Sequence, residues 1–123
     1  MGGNKITNVA AGTADTDAVN VGQVNAALNT VNQNITNLGN KLSEVGNESK
    51  AGSASAIATA NLPQSTIPGM GMTTVGLGTY DGQSAIAVGL SKMSDNGKWV
   101  IKASATTNTQ GKVGAGVGVG FHW

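Results

Sequence analysis

The chain predicts a membrane β-barrel continuous with a coiled coil and assembled from several identical copies, and three features of its 123 residues carry that prediction. From Val113 to Trp123, apolar Val113, Ala115, Val117, Val119, Phe121 and Trp123 alternate with Gly114, Gly116, Gly118, Gly120 and His122. That is a period-two strand with one apolar side and one side nearly all glycine. Upstream, Val21, Val24, Leu28, Val31, Ile35, Leu38, Leu42 and Val45 recur at alternating intervals of three and four, the seam of a coiled coil. Between them lie three more strand patterns, yet the chain holds one Phe, one Tyr and two Trp from which to build a core. Large outward residues with nothing large to pack against are accepted by lipid.

Composition narrows the alternatives. A chain of this length allows one domain with an extended appendage, and a core so poor in large side chains needs partner copies. Cysteine is absent, which removes disulfides, thiolate metal sites and cysteine nucleophiles together. Seven Lys, no Arg and six acids spread along the chain leave a formal charge of +1, without a basic face for nucleic acid. The start, Met1-Gly-Gly-Asn-Lys, lacks the apolar core of a signal peptide, so export implies a fragment of a longer precursor. No window approaches the ~20 apolar residues of a transmembrane helix. A barrel strand, being short and only half apolar, escapes that test.

Residues 4 to 23 read as a short strand-like start with a turn at Gly12, and Thr16 or Asp17 is a candidate N-cap for the helix after them. The seam residues are separated by Asn, Gln, Thr, Lys and Glu, so the apolar stripe is too narrow for a globular core and suits identical partners. Leu and Ile at one seam position with mainly Val at the other match none of the simple rules for helix number. The seam continues in register through Ser49, Gly52, Ala56 and Thr59. Five alanines between 51 and 60 favour a thin helix over a flexible linker, giving a helical rise of ~60 Å over residues 21 to 60. Pro63 and Pro68 end it.

Four strands come next, at about 70–79, 84–93, 98–107 and 112–123, turning at Asp81-Gly82, Ser94-Asp-Asn-Gly97 and Asn108-Thr-Gln-Gly111. Val75 and Leu77 oppose Thr74, Gly76 and Gly78; Ile86, Val88 and Leu90 oppose Ala85, Ala87, Gly89 and Ser91; Trp99, Ile101, Ala103 and Ala105 oppose Val100, Lys102, Ser104 and Thr106. Lys102 thus falls on the inner parity, which avoids the ~2–4 kcal/mol of a lysine in lipid at mid-depth. Lys92 falls on the outer parity at a strand end, where it snorkels. Four strands cannot close, and open edges in lipid cost several kcal/mol per unsatisfied group. Three copies make twelve strands and a backbone cylinder ~24 Å across. Three helices ~10 Å wide fill it only if helix and wall both carry small residues. Gly52, Ser53, Ala54, Ser55 and Ala56 on the helix, with Gly76, Gly78, Gly89, Gly114, Gly116, Gly118 and Gly120 on the wall, supply them. Two copies would make eight strands, with no room inside for helices.

The segment Ile6-Thr-Asn-Val-Ala-Ala-Gly-Thr-Ala-Asp-Thr-Asp-Ala-Val-Asn-Val-Gly-Gln-Val24 resembles the neck motif of trimeric autotransporter adhesins. Residues 51–123, with Ser53-Ala-Ser-Ala56, the last strand and a terminal aromatic, resemble their YadA-like membrane anchor. The resemblance divides the chain into a neck (1–23), a trimeric coiled-coil stalk (24–50) and an anchor (51–123) whose lumen helix runs about 51–62. It implies a Gram-negative outer-membrane homotrimer of the type V secretion class, with three helices inside a twelve-stranded barrel and the stalk at the cell surface. Its partners would be itself, outer-membrane lipid, the barrel assembly machinery, its own passenger, and a host ligand reached through a head absent from this fragment. The orientation it implies puts Trp99, Phe121 and Trp123 at one interface as an aromatic girdle, with the terminal aromatics similar to the signal for barrel insertion.

No constellation for catalysis or cofactors accompanies these patterns. His122 is the lone histidine, without thiol or carboxylate neighbours in sequence. Asp15, Asp17 and Asn20 do not continue into the spacing of a calcium loop, and the glycines of the last strand never become G-x-G-x-x-G. Asn34-Ile-Thr36 and Asn47-Glu-Ser49 match a glycosylation pattern common by chance. A non-enzymatic anchor and export pore is the expected function. A soluble trimeric fibre with a β-rich ligand-binding tip is the alternative, opposed by the outward Ile, Val, Leu and Trp; a general diffusion pore conflicts with a filled lumen.

Overall fold

A computed structural model describes residues 2–123, which form two compact units, one ending at Leu42 and the other running Ser43–Trp123. The element order is α1 (Val21–Ala60), β1 (Gly71–Tyr80), β2 (Gln83–Met93), β3 (Trp99–Asn108) and β4 (Val113–Phe121).

In the first unit no strand precedes α1 among the described residues, contrary to the strand-like start that Ile6 and Val9 suggest. Side chains take the backbone groups that a strand partner would have used. The Thr13 and Ala14 amides each donate to Asp17 Oδ2 at 2.9 Å, and the Asn20 amide nitrogen Nδ2 donates to Val9 O at 3.0 Å. Backbone donors from Ala14 and Thr13 hold the Asp17 carboxyl below its ordinary value. Asp17 therefore caps a turn, and neither it nor Thr16 caps the helix. Asn20 does so: its Oδ1 accepts the Gln23 amide at 2.9 Å while Gln23 Oε1 accepts the Asn20 amide at 3.2 Å, a reciprocal capping box. The Gln23 side chain also pairs with both the amide and the carbonyl of Gly12, each at 3.0 Å, so the turn is fastened onto the first turn of α1.

Helix α1 continues through Gly39, Gly46 and Gly52 and through the alanine-rich stretch to Ala60, where alanine propensity outweighs the glycines. It tightens at its end, with the Asn61 amide shared between the carbonyls of Ile57 (3.2 Å) and Ala58 (3.3 Å). Pro63 then supplies no donor.

The four strands of the second unit form an antiparallel meander in the order β1-β2-β3-β4, leaving β1 and β4 as its edges. The β1–β2 turn is two residues long, with Asp81 at φ 44° and Gly82 at φ 85°, the left-handed pair that matches strand twist. The β3–β4 turn is held by Asn108, whose Oδ1 accepts the amides of Gln110 (3.0 Å) and Lys112 (3.2 Å). Register pairs inner residues with inner residues: Gly76 with Ala87, Gly78 with Ala85, Ser104 with Gly116 and Lys102 with Gly118. The outer face pairs Leu77 with Ile86, Val75 with Val88, Ile101 with Val119 and Trp99 with Phe121. The core is correspondingly thin. Ala54, Ala58, Leu62, Ala85 and Ala87 form it, and no large side chain is fully buried among the described residues.

Candidate functional site

The inner face of the sheet, with the end of α1 against it, is where this chain packs backbone on backbone. Ala51, Ala54 and Ala58 are completely buried. Opposite them, a Cβ at Gly76 would lie 2.5 Å from the Ala58 carbonyl oxygen, and one at Gly78 would lie 2.6 Å from the Ala58 nitrogen and meet the Ala54 carbonyl. Only glycine permits that approach. Leu62 fills the next level, reaching within 3.2 Å of a Cβ at Gly76 and 3.1 Å of one at Gly89. Three polar contacts flank the alanine track: Lys102 Nζ donates to Leu62 O at 2.9 Å, Asn108 Nδ2 donates to Ser55 Oγ at 3.1 Å, and Lys50 pairs with Asp81 at 2.9 Å. Lys102 points inward and places its charge at a helix C-terminus, where the macrodipole favours a cation.

Within the chain α1 covers β1 and β2 but leaves β4 bare, and every residue of β4 is exposed. A Cβ at Gly114 would meet Thr106 Oγ1 at 3.0 Å and one at Gly116 would come 3.9 Å from Ser104, whereas Gly118 and Gly120 have nothing within 4 Å. Two hollows lie over this strand, of about 230 Å³ beside Ser55, Thr59 and Gly116 and about 370 Å³ beside Gln64, Lys102 and Gly118. The outer face is bare and apolar, with Leu77 71%, Leu90 62% and Val117 88% exposed, a contiguous apolar face of the kind that marks an interaction surface.

Two family models divide the sequence between them. The coiled stalk of trimeric autotransporter adhesins matches residues 5–61, and the YadA-like membrane anchor domain matches residues 63–123. The chain belongs to the trimeric autotransporter adhesins. It is 40% identical over 99% of its length to autotransporter adhesin EhaG of Escherichia coli O157:H7, and 41% identical over 97% to autotransporter adhesin NhhA of Neisseria meningitidis serogroup B. The trimeric autotransporter adhesin AtaA of an Acinetobacter strain is 29% identical over 97% of the chain. The chain spans 8%, 19% and 3% of these three relatives, so it corresponds to a small part of each.

In this chain the seam residues Val21, Val24, Leu28, Val31, Ile35, Leu38, Leu42 and Val45 are all exposed, between 42% and 75%. The stalk continues into small residues that divide their tasks. Ala54 is on the wall and Ser55 takes the Asn108 hydrogen bond. Gly52 and Ala56 lie off the wall, with nothing within 4 Å of a Cβ at Gly52, and the Ser53 hydroxyl donates back to Ser49 O at 3.2 Å. Of the three aromatics, Trp99 and Phe121 stack at 4.7 Å between ring centroids, while Trp123 stands fully exposed apart from them. Sequence reasoning missed Ala51, Ala58 and Leu62. Their spacing, 51-54-58-62, is a second three-four repeat set roughly 130° around the helix from the seam, and it was there to be read. Among the described residues no group of acids and histidine is placed to hold a metal, and no helix is long and apolar enough to cross a membrane.

Proposed function

We propose that three copies of this chain close a twelve-stranded outer-membrane barrel around their own helices, forming the anchor and the export pore of an adhesin whose passenger they then hold at the cell surface. The observation that carries this reading is the seating of Ala54 and Ala58 on Gly76 and Gly78, beside a β4 whose glycine face meets no helix within the chain. The end of α1 packs on β1 and β2, whereas the inner face of β4, Gly114, Gly116, Gly118 and Gly120, has no helix packed on it within the chain. A neighbouring copy supplies what is missing: its β1 edge pairs with β4, and its helix enters the hollows over Gly116 and Gly118. The exposed outer face of Val, Ile, Leu, Trp99 and Phe121 then meets lipid. Passenger segments thread a lumen walled by Gly, Ala, Ser and Thr, and the final helices fill it once export ends. Trp123, fully exposed in the chain, is available to the barrel assembly machinery. Adhesion belongs to a head outside this chain, acting on a host ligand.

The test is the mass of the detergent-extracted species, for the chain and for a form lacking residues 1–45. The second unit begins at Ser43, so the shortened form retains the lumen helix and all four strands. Both are expected to weigh three chains, because strand closure sets the number. A monomer or dimer of the shortened form would return that role to the seam.

A further inference from the structure

The contacts of α1 with the wall are mostly alanine on glycine, smooth and without direction, but the connector after it is fastened by hydrogen bonds. Ser65 and Ser91 are 3% and 7% exposed, and the Ser65 amide donates to Ser91 Oγ at 2.7 Å. The Ser65 hydroxyl donates across the bend to Met70 O at 2.7 Å. The Gly69 amide donates to Met93 O at 2.9 Å, and Pro68 bridges Met93 in parallel. Gly69 sits at φ 77°, where a Cβ would lie 2.7 Å from Asp95 Oδ1. At the start of the connector, Lys102, the strand partner of Ser91, holds Leu62 O.

We propose that Ser91 is a positioning residue of the anchor: by accepting the Ser65 amide it holds the connector 61–70 as a fixed strap over the end of the inner face beside the β2–β3 turn, and so keeps the lumen closed there. The proposal rests on the reading that three copies enclose their helices. The other inward residues of β2 on this track, Ala85, Ala87 and Gly89, carry no polar side-chain atom. Ser91 therefore supplies the acceptor at the level where the chain turns back. Without it the Ser65 amide is buried unpaired, a state relieved by moving the bend out to water. Three connectors swinging outward free the helix ends to shift on the smooth alanine–glycine wall, and a path past them opens at that end.

Two measurements on intact trimers test this. In S91A, hydrogen exchange at the Ser65 amide is expected to rise about tenfold or more, the scale of a lost buried hydrogen bond. In planar bilayers the parent is expected to be silent and S91A to show current steps. S91T keeps an acceptor hydroxyl and is expected to restore both behaviours. Silent S91A trimers would mean that the contact serves stability alone, and would overturn the proposal. If S91A does not assemble, the parent decides: its Ser65 amide must exchange more slowly than that of exposed Gln64, and equal rates overturn the proposal. A parent that does not weigh three chains refutes the trimer reading instead, a result separate from the exchange at Ser65.

Discussion

Replacing Gly78 by alanine adds one methyl group, and the structure says where it goes. The new Cβ would stand 2.6 Å from the Ala58 nitrogen and 3.1 Å from its Cα. Ordinary contact begins near 3.4 Å and the Ala54 carbonyl oxygen lies closer still than the Ala58 nitrogen, so α1 must withdraw by at least about 0.8 Å, and the obstacle is helix backbone, which has no rotamer to change. Overpacking of this kind costs about 1–3 kcal/mol per site; repeated in three chains it amounts to about 3–9 kcal/mol per assembly. On the usual scaling that lowers the dissociation temperature by on the order of 10 °C. The assay is the temperature at which trimers in detergent fall to monomers on a gel, read beside the amount of passenger at the surface. Leu77→Met is the control, since Leu77 lies between Gly76 and Gly78 in sequence but is 71% exposed on the outer face and the swap conserves volume. Gly78→Ala trimers that melt with the parent would show that the helix does not rest on β1, and the packing argument would fall.

On β4, Gly118→Leu is expected to reduce trimer yield sharply while Val117→Leu leaves it near the parent, because Gly118 faces the hollow assigned to a neighbouring helix and Val117 faces outward; equal yields would mean that no helix covers β4. Removing Trp123, which is fully exposed in the chain, is expected to lower the amount reaching the outer membrane, with surviving trimers melting within a few degrees of the parent. Normal membrane levels would count against a targeting role. The turn before α1 should loosen in acid: backbone donors from Ala14 and Thr13 lower the Asp17 pKa below 3.8, so the contribution of its carboxylate is complete above that value and is lost as pH falls through the lower folded one. Protection of the Thr13 and Ala14 amides, taken relative to the unstructured rate at each pH, should then fall as pH drops below 3.8 and already be lost at neutral pH in Asp17→Asn; a turn unchanged in both would refute the role of Asp17.

Whatever the chain decides locally could be read in advance. Asp81-Gly82 names its turn because the turn needs two residues with positive φ, and the period-two glycines of β4 name their own face. The helix start was misjudged because Thr16, Asp17 and Asn20 all suit an N-cap. The deciding signal was Gln23, three residues after Asn20, which completes the capping box. The wall face of α1 was legible as a repeat but not as a wall, since the alanines at 51, 54 and 58 and those at 56 and 60 fall on two roughly opposite sides of the helix. Which of them meets glycine depends on a sheet that begins ten residues later. The Ser65 to Ser91 contact joins positions 26 residues apart through a backbone amide, and nothing in either serine announces it.

The two small-residue tracks of α1 explain why a helix with so few large side chains is retained at all. Ala51, Ala54 and Ala58 are consumed by the wall. Ser49, Gly52, Ala56 and Thr59, which extend the stalk seam, remain on another side, with Gly52 and Ala56 exposed. A helix packed on one sheet needs only the first track, and one wound in a free coiled coil needs only the second and would fill it with Leu, Ile or Val, as residues 21 to 45 do. Both tracks small on the same turns suit the proposed lumen, with a wall on one side of the helix and other helices on another, and no shell for larger groups. That requirement ends where the seam regains Val45, a little beyond Lys50 and its ion pair with the β1–β2 turn at Asp81. The change in side-chain size along the seam therefore falls at the level of the turn, and the sequence itself marks where the proposed lumen ends and the open stalk begins.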